Sequence, residues 1–251
     1  MKKRLGLMAA VALLALWRSP ALAQTVDDII EKHLAASGGR AALSKLTSRT
    51  ATGTITLTSP VGELNGTIEV FVKAPNKSRT LIKLDLSAVG GGQVVSDQRF
   101  DGTSGYVIDT FNGNREITGS QLDALRNASF PSPLLKYREN GTTAALAGTE
   151  KVGEKDAHVI QLSPKTGPPL RMLIDAESFL IVRTVMSINV PQLGGDVDQV
   201  QEFSDFHDVD GVKVPFSVRS STSVQVVKAT VSDVKHNTEI DDSSFSRPAG
   251  Q

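Results

Sequence analysis

Thr50-Ala51-Thr52-Gly53-Thr54-Ile55-Thr56-Leu57-Thr58 is the stretch that decides the fold. Five threonines fall on one side of a period-two pattern, and Ala51, Gly53, Ile55 and Leu57 fall on the other. A β-branched side chain loses rotamer freedom in a helix and fits a pleated surface, so the stretch predicts a strand with one polar and one small or apolar face. The same period continues outward. Ile68, Val70 and Val72 alternate with Glu69, Phe71 and Lys73, and Ile82, Leu84 and Leu86 alternate with Leu81, Lys83 and Asp85. Pro60-Val61-Gly62 and Ala74-Pro75-Asn76 have turn chemistry. Connections that short leave no room for crossover helices, so the strands run antiparallel.

Further strands are predicted over residues 93–100 and 105–110, joined by the tight turn Asp101-Gly102-Thr103-Ser104-Gly105. After an interruption come 142–152, 157–163, 170–175, 180–190, 197–206, 212–220 and 223–234. That makes about twelve strands. One helix precedes them over 26–37. Thr25 or Asp27 can cap it, Asp27 and Asp28 suit its positive end, and Gly38-Gly39 stops it. Ile29, Ile30, His33 and Leu34 recur on one face of it. A short helical turn is predicted over 40–46. The central interruption reads as a helix over 118–128, capped by Thr118 or Ser120 and carrying Leu122 and Leu125. Pro131, Ser132 and Pro133 follow it, then Leu134, Leu135 and Tyr137.

The N-terminus sets the expected compartment. Lys2, Lys3 and Arg4 precede an apolar run from Leu5 to Trp17, and Ala21-Leu22-Ala23 offers a small-x-small cleavage site before Gln24. This is the pattern of a secretory signal peptide over 1–23, since 13 residues are too few to span a bilayer. The mature chain is then a single domain over 24–251, exported across the inner membrane to the periplasm, soluble and without a membrane span. With no cysteine in the sequence, an N-terminal lipid anchor, disulfides and thiolate metal sites are excluded. Removing Lys2, Lys3, Arg4 and Arg18 leaves 23 basic against 27 acidic residues, a balance of −4. That charge disfavours nucleic acid as a partner, and 5% aromatics offers few stacking platforms for bases or sugars.

Catalytic signatures are missing. His33, His158, His207 and His236 lack zinc-site spacing, no G-x-S-x-G elbow occurs, and Gly90-Gly91-Gly92 is not followed by the Lys-Ser/Thr of a phosphate loop. Asp205 to Gly211 superficially resembles a calcium loop. The register would place Phe206 and Ser217 at carboxylate positions, so Asp208, Asp210 and Gly211 are expected to form a hairpin turn. His207 with Asp205 or Asp208 could mimic an acid–base pair, without an evident nucleophile. No catalytic residue, metal or cofactor is expected.

Several strands carry apolar residues on both faces, as in Leu180-Ile181-Val182. A sheet of this many strands either packs on itself or encloses a cavity. Four segments resemble a known family. They are Thr25-Val26-Asp27-Asp28-Ile29-Ile30 through Ser37-Gly38-Gly39-Arg40, and Phe100-Asp101-Gly102-Thr103-Ser104-Gly105-Tyr106. The third is Phe203-Ser204-Asp205-Phe206 leading to Asp210-Gly211-Val212-Lys213-Val214-Pro215-Phe216, and the fourth is Ile240 to Phe245 with Pro248. Their order over nearly the whole mature chain is similar to outer-membrane lipoprotein-sorting-like proteins of the LolA/LolB-like carrier superfamily.

That resemblance implies a β-rich (α+β) fold. It would be a strongly curved antiparallel sheet of about eleven strands, an unclosed barrel whose apolar concave side holds acyl chains. Lid helices would lie over that face, here 26–46 and 118–137. Arg79 is, by strand location, the candidate for the arginine that the carriers use inside their cavity.

The expected activity is non-catalytic binding or carriage of a lipid, lipoprotein acyl chain or similar amphiphile. Ile55, Leu57, Val70, Val72, Ile82 and Leu84 are the expected concave surface, with Leu122, Leu125, Leu134 and Leu135 on the lid. The alternative for all ten is ordinary core packing. Partners would be a lipid or acylated protein, with a donor or acceptor at the inner or outer membrane. Two rival functions are an envelope sensor that binds protein through the same half-barrel, and a hydrolase centred near His207.

Overall fold

Residues 24–60, 62–87, 90–190 and 195–250 are described by a computed structural model; the apolar leader and its cleavage site lie outside them. The threonine-rich stretch forms β1 (Ser48–Ser59), with its threonines outward and Ile55 buried on the other face. A meander continues from it: β2 (Gly62–Lys73), β3 (Lys77–Asp85), β4 (Gln93–Phe100), β5 (Gly105–Asp109) and β6 (Arg115–Ile117). The second meander runs β7 (Thr143–Val152), β8 (Lys155–Ser163), β9 (Leu170–Asp175), β10 (Ile181–Val190), β11 (Gly195–Val209), β12 (Val212–Ser221) and β13 (Val226–His236). Antiparallel pairing of β1 with β13 joins the two into one 13-stranded sheet, ordered β6-β5-β4-β3-β2-β1-β13-β12-β11-β10-β9-β8-β7. β6 and β7 are its open edges, so the barrel is unclosed.

The strand count corrects the expected eleven to twelve. The additional strand is β6, three residues whose pairing with β5 is set by the hairpin rather than by periodicity. The turn expected at 60–62 is also tighter, with β2 starting at Gly62. A bend is built into the middle of the sheet. The β1–β13 register shifts between Thr52 and Gly53, as at a β-bulge. A β-carbon on Gly53 would run into the Thr230 carbonyl, and one on Gly66 of β2 into the Lys83 carbonyl. Two glycines on neighbouring strands therefore let the backbones approach where the sheet curves.

Helix α1 (Val26–Ala36) is capped by Thr25, which accepts from the Asp28 amide while the Asp28 carboxylate takes the Thr25 amide, a complete capping box. Its buried stripe is Ile29, Ile30, His33 and Leu34. With Leu43 and Leu46 around the short α2 (Arg40–Leu43), it packs on Ile160, Leu162, Met172, Ile174, Val212, Val214 and Val234, the main core. The central helix α3 (Gly119–Asn127) ends ten residues earlier than the lid expected to reach Tyr137. Residues 134–137 instead dock on α1: Leu134 and Tyr137 are buried in the core, and the Tyr137 hydroxyl donates to Asp27 at 2.9 Å. A 3-10 turn (Asp242–Phe245) straps the outer face of β3 and β4, with Phe245 buried and Asp242 paired to Lys73 and Lys77. Among the described residues no helix is long and apolar enough to cross a membrane.

Candidate ligand cavity

Register identifies the concave face. Phe203, Val218, Ala229, Ile55, Gly66, Leu84 and Val94 are cross-strand partners in an unbroken row from β11 to β4. Side chains of directly paired residues share a face. Phe203 lines a cavity of about 980 Å³, so the row faces inward. By alternation Leu57, Val70, Val72 and Ile82 stand on that same face. Ile55 and Leu84 are buried and the other four half-buried. None of the six lines the cavity, which lies instead toward β8–β12 and under the central connection.

The cavity wall alternates along its strands. Leu170 and Met172 of β9, Thr184, Met186 and Ile188 of β10, and Gln199, Gln201 and Phe203 of β11 form its floor. Its roof is α3, which presents Gln121, Ala124 and Leu125, with Ala128 one turn beyond. That spacing is one helical stripe. Leu125 therefore borders the cavity, while Leu122 sits half-buried off the stripe. Leu134 is fully buried in the core and Leu135 packs against it, so these two belong to the α1 dock and not to the roof.

The helix α3 is held differently from α1. It has no buried residue. Its tethers are polar: the Ser120 hydroxyl accepts from the Asn189 amide at 3.1 Å, Asn127 donates to the Thr166 carbonyl at 2.8 Å, and Arg126 donates to the Thr103 carbonyl at 3.1 Å. These reach β10, the β8–β9 turn and the β4–β5 turn, so α3 bridges the mouth between the two meanders.

Charge in the lining is one-sided. Arg49, Arg115, Arg126 and Lys213 border the cavity with the neutral-to-basic His33, and no aspartate or glutamate appears among the described lining residues. Arg126 is paired with Asp123 and Lys213 with Asp208. Arg49 has no carboxylate partner within ion-pair distance among the described residues. Its Nε donates to His236 Nε2 at 2.9 Å, and its guanidinium lies 5.5 Å from the centre of the Phe130 ring. Burial pulls its pKa down to about 10. The His236 side chain is 1% exposed, and its Nδ1 lies 3.1 Å from Asp210 Oδ2. Burial first, then the Arg49 charge, holds its pKa below the usual histidine value. Burial likewise depresses His33, whose Nδ1 bonds the Phe179 carbonyl at 2.9 Å.

One sequence assignment moves, and the expected hairpin turn is present. Arg79 does not face the cavity: it sits on the outer face, where it and Arg99 clamp the buried Asp97 at 2.8 Å. Its neighbour Thr80 is the residue paired with cavity-lining Gln98. Asp208 to Gly211 form the β11–β12 hairpin turn, with Asp210 and Gly211 at φ 54° and 78° and Asp208 accepting from the Gly211 amide. His207 is exposed, bonded to Asp205 at 2.8 Å and stacked on Phe216, outside the cavity lining. Sequence reasoning missed Arg49 and the β10–β11 floor. Arg49 opens the threonine-rich strand on the apolar phase, and a charge in that phase was the available signal.

No known family's model matches the chain, and no curated protein matches it in sequence. Solved structures match in fold. A LolA superfamily protein from Nitrosomonas europaea superposes with a TM-score of 0.56 at 15% identity, covering 89% of this chain and 98% of its own. A DUF1329 family protein from Desulfovibrio piger gives 0.57 at 14%, covering 91% and 100%. A domain from Vibrio parahaemolyticus described as an outer-membrane lipoprotein-sorting protein gives 0.51 at 12%, covering 87% and 94%. The chain has a LolA-like fold.

Proposed function

We propose that this chain binds and carries an amphiphile, a lipid or the acyl chains of a lipoprotein, in the periplasm. The observation that carries the reading is the cavity of about 980 Å³ between the concave sheet and α3. It falls at the upper end of the roughly 300–1,000 Å³ typical of small-molecule sites. Leu125, Leu162, Leu170, Met172, Ile181, Met186, Ile188, Phe203 and Phe206 give it apolar surface to shed water onto a chain. A roof with no buried side chain can lift without breaking the core. The six half-buried or buried positions Ile55, Leu57, Val70, Val72, Ile82 and Leu84 would extend the concave surface for a longer chain. Cleavage after Ala23 delivers the domain over 24–251 to the compartment where such cargo moves between membranes. No catalytic step is needed.

The test is native mass spectrometry of the mature protein purified from periplasm, followed by solvent extraction and lipid analysis. The polypeptide mass is expected to begin at Gln24, with a discrete adduct of lipid mass. Ile188→Asp places a carboxylate on the cavity floor at a cost of several kcal/mol to an apolar occupant, and is expected to fold but lose the adduct. A bare polypeptide that also fails to take up a fluorescent fatty acid sinks the carrier reading.

A further inference from the structure

Arg49 is a half-buried cation on the cavity wall, with no carboxylate paired to it among the described residues. Its Nε is committed to His236 and its face to Phe130, neither of which neutralises it. The nearest carboxylate in that chain is Asp210, on the far side of the His236 ring. A charge taken out of water costs free energy unless it is paired. Proteins therefore rarely leave a guanidinium on a cavity wall without an anion to meet it. Two further cations border the same space, Arg115 at the β6 edge and Arg126 at the end of α3; Arg126 is paired with Asp123, and no carboxylate is among the described lining residues. This positive interior belongs to a chain whose expected mature balance is −4, so the asymmetry is local and is not a reflection of overall composition.

We propose that the cargo of this cavity carries a terminal oxyanion, a carboxylate or a phosphate, and that Arg49 is its seat. The apolar tail would lie along Met172, Met186, Ile188 and Phe203, and the oxyanion would take the two Nη nitrogens that Arg49 does not spend on His236. A guanidinium presents paired donors to an oxyanion, and such charge-assisted bonds are about twice as strong as neutral ones. His236 holds the fork: because its Nε2 accepts from Arg49, its proton lies on Nδ1, toward Asp210. The inference rests on the amphiphile-carrier reading and adds the charge of the head.

Titration calorimetry of the delipidated mature protein at low salt, with hexadecanoate, hexadecyl phosphate, hexadecan-1-ol and inorganic phosphate, separates the two. Both anionic amphiphiles are expected to bind about tenfold or more tighter than the alcohol, consistent with hydrogen bonds to a charged group. The tighter of the two names the head. Arg49→Gln is expected to erase that preference without weakening the alcohol, and Arg49→Lys to keep part of it. If the alcohol binds as tightly as the anions, or Arg49→Gln keeps the preference, the oxyanion inference is overturned and the carrier reading stands. If no chain binds, the carrier reading itself falls. If inorganic phosphate binds and a chain adds nothing, the site takes a free anion and the amphiphile is overturned. The acid-against-alcohol comparison needs no variant and decides the charge of the head even if Arg49→Gln does not fold; Arg49→Lys then decides the seat, since an undiminished preference there would overturn it.

Discussion

His236 receives the Arg49 Nε–H and faces Asp210 through its other nitrogen, in a side chain with 1% exposure. Protonating it would set two cations against each other inside the sheet, and protonating the buried His33 would create a charge that burial keeps from water. Both folded pKa values lie below the ordinary histidine value of about 6.5. The unfolded chain then binds protons first as pH falls. The stability that these two residues lend is complete above about pH 6.5 and is lost on acidification through their lower folded values. Urea midpoints are expected to fall between pH 8 and pH 5, and the slope to shrink in His236→Gln; a flat profile would contradict this account. Asp242, held down to about 2 by Lys73 and Lys77, acts in a separate, lower window. Gly53 makes a second residue-scale case. Gly53→Ala puts a methyl against the Thr230 carbonyl, so a loss of about 1–3 kcal/mol is expected in denaturant titration. The alternation at 50–58 made the faces of β1 legible. His236 was invisible as a partner of Arg49 because the two are 187 residues apart.

By periodicity the first and central helices look alike, each a short amphipathic stretch over a sheet. Tertiary burial separates them. Ile29, Ile30 and Leu34 of α1 are at most 1% exposed, whereas α3 buries nothing. Ile30→Ala is therefore expected to cost about 2–5 kcal/mol, the range for truncating a large buried aliphatic. Leu125→Ala should shift the thermal midpoint far less while speeding cargo release. Stopped-flow displacement alongside a thermal melt checks both. Equal destabilisation by the two substitutions would show that α3 is core rather than roof. The sequence places a helix at each site and the capping box at Thr25, because those signals are local. How firmly each is held depends on which strands lie beneath it.

Across the molecule, one ladder between β1 and β13 joins a meander that runs outward to β6 and one that runs back from β7. The main core draws on α1, Leu43 and Leu46 around α2, residues 134–137, β8, β9, β12 and β13, and its buried residues include none from β1–β6. Period-two patterning predicted nearly every strand and which residues of β1, β2 and β3 share a face. It could not say which half of the concave face the cavity would occupy. That depends on the path of the segment linking β6 to β7, which crosses toward β10 and is anchored there by Ser120 and Asn189. A rigid half carrying a lightly tethered roof makes a specific demand on local stability. In the free protein, amides of α1, β8 and β9 should exchange only through global unfolding, while those of α3 exchange through a local opening orders of magnitude more frequent. Adding cargo should protect α3 and the β10–β11 floor and leave α1 unchanged. Hydrogen-exchange mass spectrometry resolves these segments. Protection of α3 equal to that of α1 in the free protein would mean that the mouth does not open there, and cargo would have to enter past the half-buried surface of β2 and β3.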